Sequence, residues 1–376
     1  MSHLRVATIL HTAFLLSRGP GAAGDEEDPS PEAQVDVLVE EYGVKGGGPG
    51  VGVLVLDKAG VKFKKCYGLA SLEPRVAITP ATTFELASVS KHFTGAAVLL
   101  LVQRGKVAVG DDVRKHLPEL PAYDPQHPIL VDHLSRHTSG LPDYFQWDVE
   151  PATKRPYYTN ADAILEFARQ QATSPLQSVP GEEYDYSNSG YMVLGALVER
   201  VSGLTFGAFL RKELFDPFGM KTAWVHESPR APTGATAIGY TRDDGAWKAT
   251  WSPPTPTKHE KHLTVGDGGV WASLDDMVGW DRGLRAGKYL RLDTLLGALA
   301  PGETRGGRRI PYAMGWELEY DEEGQVRTMS HSGTWDGFET YIGHDVVREV
   351  TVVVLSNHRG FEAEALGEAV GALFRK

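Results

Sequence analysis

Cysteine is almost missing from these 376 residues: only Cys66 is present, so no internal disulfide can form and a hydrophobic core must hold the fold. No Gly-x-Ser-x-Gly occurs, which removes the nucleophile elbow of an α/β-hydrolase. His133-Leu134-Ser135-Arg136-His137 has two histidines four apart, and His259 with His262 forms another close pair. The glutamate of His-Glu-x-x-His is absent, and no metal is expected. The run Gly46-Gly47-Gly48-Pro49-Gly50 is not followed by Gly-Lys-Ser/Thr, so it reads as a turn rather than a phosphate cradle. Basic residues are outnumbered 38 to 49, for a net charge of -11, which excludes the electrostatic footprint of a nucleic-acid binder. No repeat of fixed period is visible, so solenoids and propellers are excluded too.

What is present suffices for a large core, with 41% hydrophobic residues in one large domain or two intimate lobes. Residues 1–24 read as a secretory leader: a short basic start, an apolar stretch from Val6 to Leu16 too short to span a bilayer, and small residues at Gly21-Ala22-Ala23. A working leader would make the protein secreted or periplasmic; without one it is cytoplasmic. Residues 25–34 read as an acidic, proline-containing linker, and 35–376 as the folded domain. Helical spacing begins at Ala33–Tyr42, and β-rich runs at Val51–Leu56 and Val61–Tyr67 flank a hairpin turn at Asp57–Gly60. Cys66 falls in the second run, where packing is its natural role. Helix-like segments follow at Phe93–Gln103, Ala161–Gln171, Tyr191–Val201 and Phe206–Leu214. Strand patterns then return at Tyr312–Tyr320, Gln325–Ser330, Phe338–Gly343 and Val350–Leu355 before a last helix, Glu362–Phe374. Strands at both ends with helices between them imply one sheet interrupted by a helical lobe.

Three short signals carry chemistry. Ser88-Val89-Ser90-Lys91 puts a hydroxyl and an amine one helical turn apart, so the amine can take the hydroxyl's proton once burial or positive potential lowers its pKa. Alone, this spacing arises by chance about once in a chain this long, as a capping serine and a solvated lysine. Tyr186-Ser187-Asn188, read as extended, points a phenol and an amide to one side; otherwise it is a polar loop with a core tyrosine. His331-Ser332-Gly333, followed by Thr334, sits at the end of the strand Gln325–Ser330. There His331 could reach the leaving group and Gly333 could let substrate backbone approach, or the histidine is simply a surface residue beside a turn.

In this order and at these separations, Ser-x-x-Lys, Tyr-x-Asn and His-x-Gly resemble the superfamily of class C β-lactamases, penicillin-binding proteins, D-aminopeptidases and family VIII esterases. Accessory stretches at His137–Tyr144, Gly266–Ser273 and Tyr312–Trp316 look familial as well, and the likeness extends over Val35 to Arg375. The resemblance implies a β-lactamase/DD-peptidase-like fold, α/β plus all-α. A mainly antiparallel sheet (about 35–90 and 266–376) would be flanked by helices, with an inserted helical lobe (about 91–265) and the active site in the cleft between. It further implies Ser88 as nucleophile, Lys91 as its base and Tyr186 as proton relay. Asn188, His331, Gly333 and Thr334 would support substrate, and the backbone N–H groups of Ser88 and Thr334 would form the oxyanion hole. No metal or organic cofactor is implied, and the partner is a small ester, amide or peptide; oligomeric state cannot be read. Members that act on β-lactams usually carry Lys-Thr-Gly where this chain has His-Ser-Gly. A mostly neutral histidine holds a substrate carboxylate less well than lysine, which favours the esterase and aminopeptidase branch over β-lactamase or DD-carboxypeptidase. A noncatalytic sensor would share Ser88, Lys91 and Tyr186, but the complete proton-transfer set favours a hydrolase. Tyr144 and Trp335 are candidate cleft-lining aromatics.

Overall fold

A computed structural model describes residues 29–147, 157–228, 234–251, 263–288 and 290–375. The leader reading at 1–24, the acidic residues 25–28, and His259 with His262 lie outside these described residues. Helix α1 spans Pro31–Glu41 and starts two residues before its apolar spacing does, because Ser30 caps the Ala33 N–H and Pro31 opens the first turn. Residues 31–34 are therefore helix rather than linker.

One seven-stranded, wholly antiparallel sheet organises the molecule. Its strands are β1 (Val51–Asp57), β2 (Gly60–Tyr67), β3 (Tyr312–Ala313), β4 (Trp316–Tyr320), β5 (Val326–Trp335), β6 (Phe338–Asp345) and β7 (Val350–Ser356), in the order β3-β4-β5-β6-β7-β1-β2. The first two strands thus join the last five, with Val51 opposite Ser356. β1 and β7 are continuous apolar runs because both their faces are covered. Val51, Val53, Val55, Val352 and Val354 face α1 and α6 (Ala363–Phe374), whereas Leu54, Leu56, Val353 and Leu355 belong to the larger core on the opposite face. That larger core continues into the helical lobe of α2 (Lys91–Gln103), α3 (Asn160–Gln170) and α4 (Asn188–Ser202), and takes in α5 (Leu274–Ala286). Every α2 residue from Lys91 to Leu101 is buried, which makes α2 the central helix.

Three local departures from the sequence reading shape the site. β5 does not stop at Ser330 but runs to Trp335, while β4 pairs with it only as far as Ser330, leaving the last residues of β5 as an edge on that side. The single strand read over Tyr312–Tyr320 is two, because Met314 and Gly315 at φ 51° and 87° reverse the chain. An unforeseen hairpin, Gly239–Asp243 with Ala246–Trp251, turns at Asp244-Gly245, whose φ values of 47° and 80° are those an Asp-Gly pair tolerates.

Candidate active site

Ser88 is not inside the helix. It lies in a tight 3-10 turn, Ala87–Ser90, that feeds α2, and Ala87 is held at φ 50°, an uncommon conformation for a residue with a side chain. Lys91, the first residue of α2, is fully buried. Its Nζ donates to Ser88 Oγ at 2.9 Å, Asn188 Oδ1 at 2.8 Å and the Asp267 carbonyl at 2.7 Å. Three acceptors match the three protons of an ammonium. A neutral amine keeps two protons for Asn188 and the carbonyl, which leaves its lone pair directed at Ser88. Burial pushes the Lys91 pKa down to about 8, partly opposed by the negative charges of Asp267 and Asp143.

Tyr186 and Asn188 converge on this pair by a route other than an extended Tyr-x-Asn. Tyr186 is in irregular chain, whereas Asn188 is the first residue of α4, capped by Ser187 through the Gly190 N–H. The Tyr186 ring lies 5.0 Å from Lys91 Nζ. Although 39% of the residue is exposed, desolvation raises its phenol pKa, opposed by a hydrogen bond with Ser88. The group therefore stays a phenol, suited to passing a proton rather than to holding a charge.

His331 is placed differently from its expected role at the leaving group. It is 2% exposed, its Nδ1 donates to the Ser332 carbonyl at 2.6 Å, and its Nε2 accepts from the Tyr312 hydroxyl at 2.7 Å. Burial foremost, then the charge of Lys91, lowers its pKa to about 3. It is a neutral strut with both nitrogens engaged inside the protein. Gly333 also serves packing rather than substrate approach: a Cβ there would stand 2.4 Å from the Leu86 carbonyl and 2.5 Å from Thr340 Oγ1. Only glycine lets β5 lie this close to the turn carrying Ser88. Thr334 lies on the free edge beyond, its hydroxyl donating to Glu339 at 2.6 Å.

Ser88, Asn188 and Thr334 line one cavity of about 140 Å³, together with Glu85, Tyr144 and Asp267. Phe145 and Trp335, with rings 5.8 Å apart, also line it. Tyr144 and Trp335 line the cleft as the sequence reading expected, whereas Glu85 and Asp267 were not assigned roles from the sequence. Tyr144 donates to Asp267 Oδ2 at 2.9 Å and shares a 2.9 Å bond with Thr264. Burial raises the Asp267 pKa against the pull of Lys91, and raises that of Glu85 to about 8 although its Oε1 accepts from the Gly269 and Ala87 N–H groups. Gly266 carries Asp267 into place at φ 110°, and a Cβ there would meet the Tyr191 carbonyl at 2.4 Å. The familial stretch Gly266–Ser273 pointed to this loop, but no spacing rule told which of its side chains faces the cavity. Among the described residues, no group of three or more His, Cys, Asp or Glu could hold a metal ion.

A serine activated by a buried lysine, set between an antiparallel sheet and a helical lobe, defines a serine hydrolase of the β-lactamase and transpeptidase kind. The family model described as Beta-lactamase matches residues 35–373, and the chain belongs to that family. Among curated relatives, Penicillin-binding protein 4* of Bacillus subtilis is 28% identical over 312 residues, 81% of this chain and 67% of that one. A D-aminopeptidase of Brucella anthropi is 30% identical over 325 residues, 83% of this chain and 57% of that one. The chain thus spans two thirds or less of the length of these relatives. An octameric penicillin-binding protein homologue from Pyrococcus abyssi shares the fold, with a TM-score of 0.73 at 24% identity over 92% of this chain and 76% of that one.

Proposed function

We propose that this chain hydrolyses esters or amides whose acyl part carries a free amino group, such as amino-acid amides, amino-acid esters and short peptides. The observation that carries this reading is the carboxyl lining of the cavity, which an entering ammonium group would hold in its ionised form. Two buried carboxyls, Glu85 and Asp267, line it beside the nucleophile, and His331 supplies no positive charge to hold a substrate carboxylate. An ammonium group suits such a wall, and a relative named D-aminopeptidase supports the class.

Neutral Lys91 takes the proton of Ser88 as Oγ bonds to the substrate carbonyl carbon. The N–H groups of Ser88 and Thr334 receive the developing oxyanion. The proton passes from Lys91 through the Tyr186 phenol to the departing amine or alcohol, the acyl carbon–leaving-group bond breaks, and an acyl ester remains on Ser88. Water then enters, gives its proton back along the same path, and adds its oxygen to the acyl carbon; Ser88 leaves with the returning proton.

Turnover of D- and L-aminoacyl anilides, p-nitrophenyl acetate and a chromogenic cephalosporin measures this directly. Aminoacyl substrates should give the highest kcat/KM, Ser88→Ala should abolish every activity, and Asp267→Asn should raise KM for amine-bearing substrates by about tenfold while sparing the acetate ester. Hydrolysis that survives in Ser88→Ala refutes the mechanism. Preference for the cephalosporin refutes the substrate class.

A further inference from the structure

Tyr186 has no secondary structure of its own to hold it, since residues 183–187 are irregular chain and α4 begins only at Asn188. Two hydrogen bonds to a single residue bracket it instead. The Asp185 N–H donates to the His137 carbonyl at 2.9 Å, and the Ser187 N–H donates to His137 Nδ1 at 3.0 Å. His137 is held at φ 57°, a left-handed conformation that histidine, asparagine and glycine tolerate better than most residues. Its ring lies 4.3 Å from that of Tyr186, 4.3 Å from that of Tyr312 and 5.1 Å from that of Tyr191.

A backbone N–H can only donate, so Nδ1 must be the acceptor and the imidazole neutral with its proton on Nε2. That Nε2 is buried with no hydrogen-bond partner. Burial first, then the charge of Lys91, disfavours the imidazolium that would break the clamp. We propose that His137 is a positioning residue: by gripping the N–H groups of the residues on either side of Tyr186, it keeps the phenol on Ser88 Oγ through both halves of the reaction. This rests on the proposed hydrolase mechanism and adds to it a residue that touches no substrate. Lys91 is held apart from the clamp by α2 and by its bonds to Ser88 Oγ and the Asp267 carbonyl, which His137 does not touch.

The test compares His137→Gly, which accepts the left-handed backbone but has no ring, with His137→Asn, whose Oδ1 can stand in for Nδ1. Three readouts are taken: kcat and KM for p-nitrophenyl acetate, the alkaline limb of the pH profile, and the rate at which an ethyl fluorophosphonate labels Ser88. His137→Gly should lose about 10- to 100-fold in kcat, the scale of a misplaced catalytic group, with KM within about threefold. Its alkaline limb should move to lower pH as Tyr186 gains water, and His137→Asn should recover most of the kcat. Labelling needs Lys91 but no leaving-group proton, and should stay within about threefold of wild type. A kcat for His137→Gly within threefold of wild type overturns the proposal, as does a loss that His137→Asn does not rescue or an unmoved alkaline limb. If the wild type is labelled at Ser88 yet turns over no ester or amide, the hydrolase reading falls instead.

Discussion

At the scale of single residues, the chemistry rests on where one proton resides. Lys91 is charged below its pKa of about 8 and competent as a base only above it, so kcat/KM should rise with pH through that value and level off before the phenol titrates. Glu85 titrates in the same range, also near 8. The two are separable: Glu85→Gln should leave the acid limb in place if Lys91 owns it, and abolition of the limb in that variant would reassign it. The Ser88–Lys91 pair was legible as spacing, because three helical residues bring side chains to one face whether the serine sits in an α turn or a 3-10 turn. The roles of His331, Gly333 and Asp267 were not. Which way a strand residue points depends on where its strand ends, and β5 continues five residues past the apparent stop because Gly333 lets it lie against Leu86.

Among the elements, the close contact of β5 with the turn before α2 sets the geometry of the cleft. Gly333→Ala should destabilise the protein by about 1–3 kcal/mol, since a methyl group would have to displace the Leu86 carbonyl or the Thr340 hydroxyl. A lower Tm and a disproportionate fall in kcat, measured by calorimetry and ester hydrolysis, would register the shift of Ser88; an unchanged Tm would mean that the two elements part freely. The long apolar-patterned elements, β1, β7, α2 and α4, were readable because burial dictates their periodicity. Short elements were harder. The split of β3 from β4 depends on a positive φ at Met314, which ordinary residue preferences do not announce, whereas the hairpin at Asp244-Gly245 carried an Asp-Gly signal that the sequence reading passed over. Tyr186 and Asn188 were read as one extended Tyr-x-Asn and instead straddle a helix cap, where Ser187 gave the available signal.

At the level of the whole molecule, the net charge of -11 has the sign that attracts an ammonium group. An excess of acids over bases, 49 to 38, includes the two carboxyls of the cleft, Glu85 and Asp267, so cationic substrates should be drawn in from a distance. Raising ionic strength should therefore raise KM for an aminoacyl anilide and leave that for p-nitrophenyl acetate unchanged. Equal salt sensitivity of the two would remove long-range attraction from the account. The division into a sheet and an interposed helical lobe was evident from the order of strand-like and helix-like segments, because each period reports its own burial geometry.

The pairing of β1 with β7 carries a consequence for the chain as it is made. These strands stand on opposite sides of the helical lobe in sequence, yet Val51 must find Ser356 before the seven strands become one sheet. Such distant pairing is slow to form and cannot start until the ribosome has passed the final strands. Ser88 is synthesised early, but the surface of β5 that fixes its turn arrives late. A nascent hydrolase of this design stays inert during translation, and acquires its reactive serine only when the last-made strands close over the first.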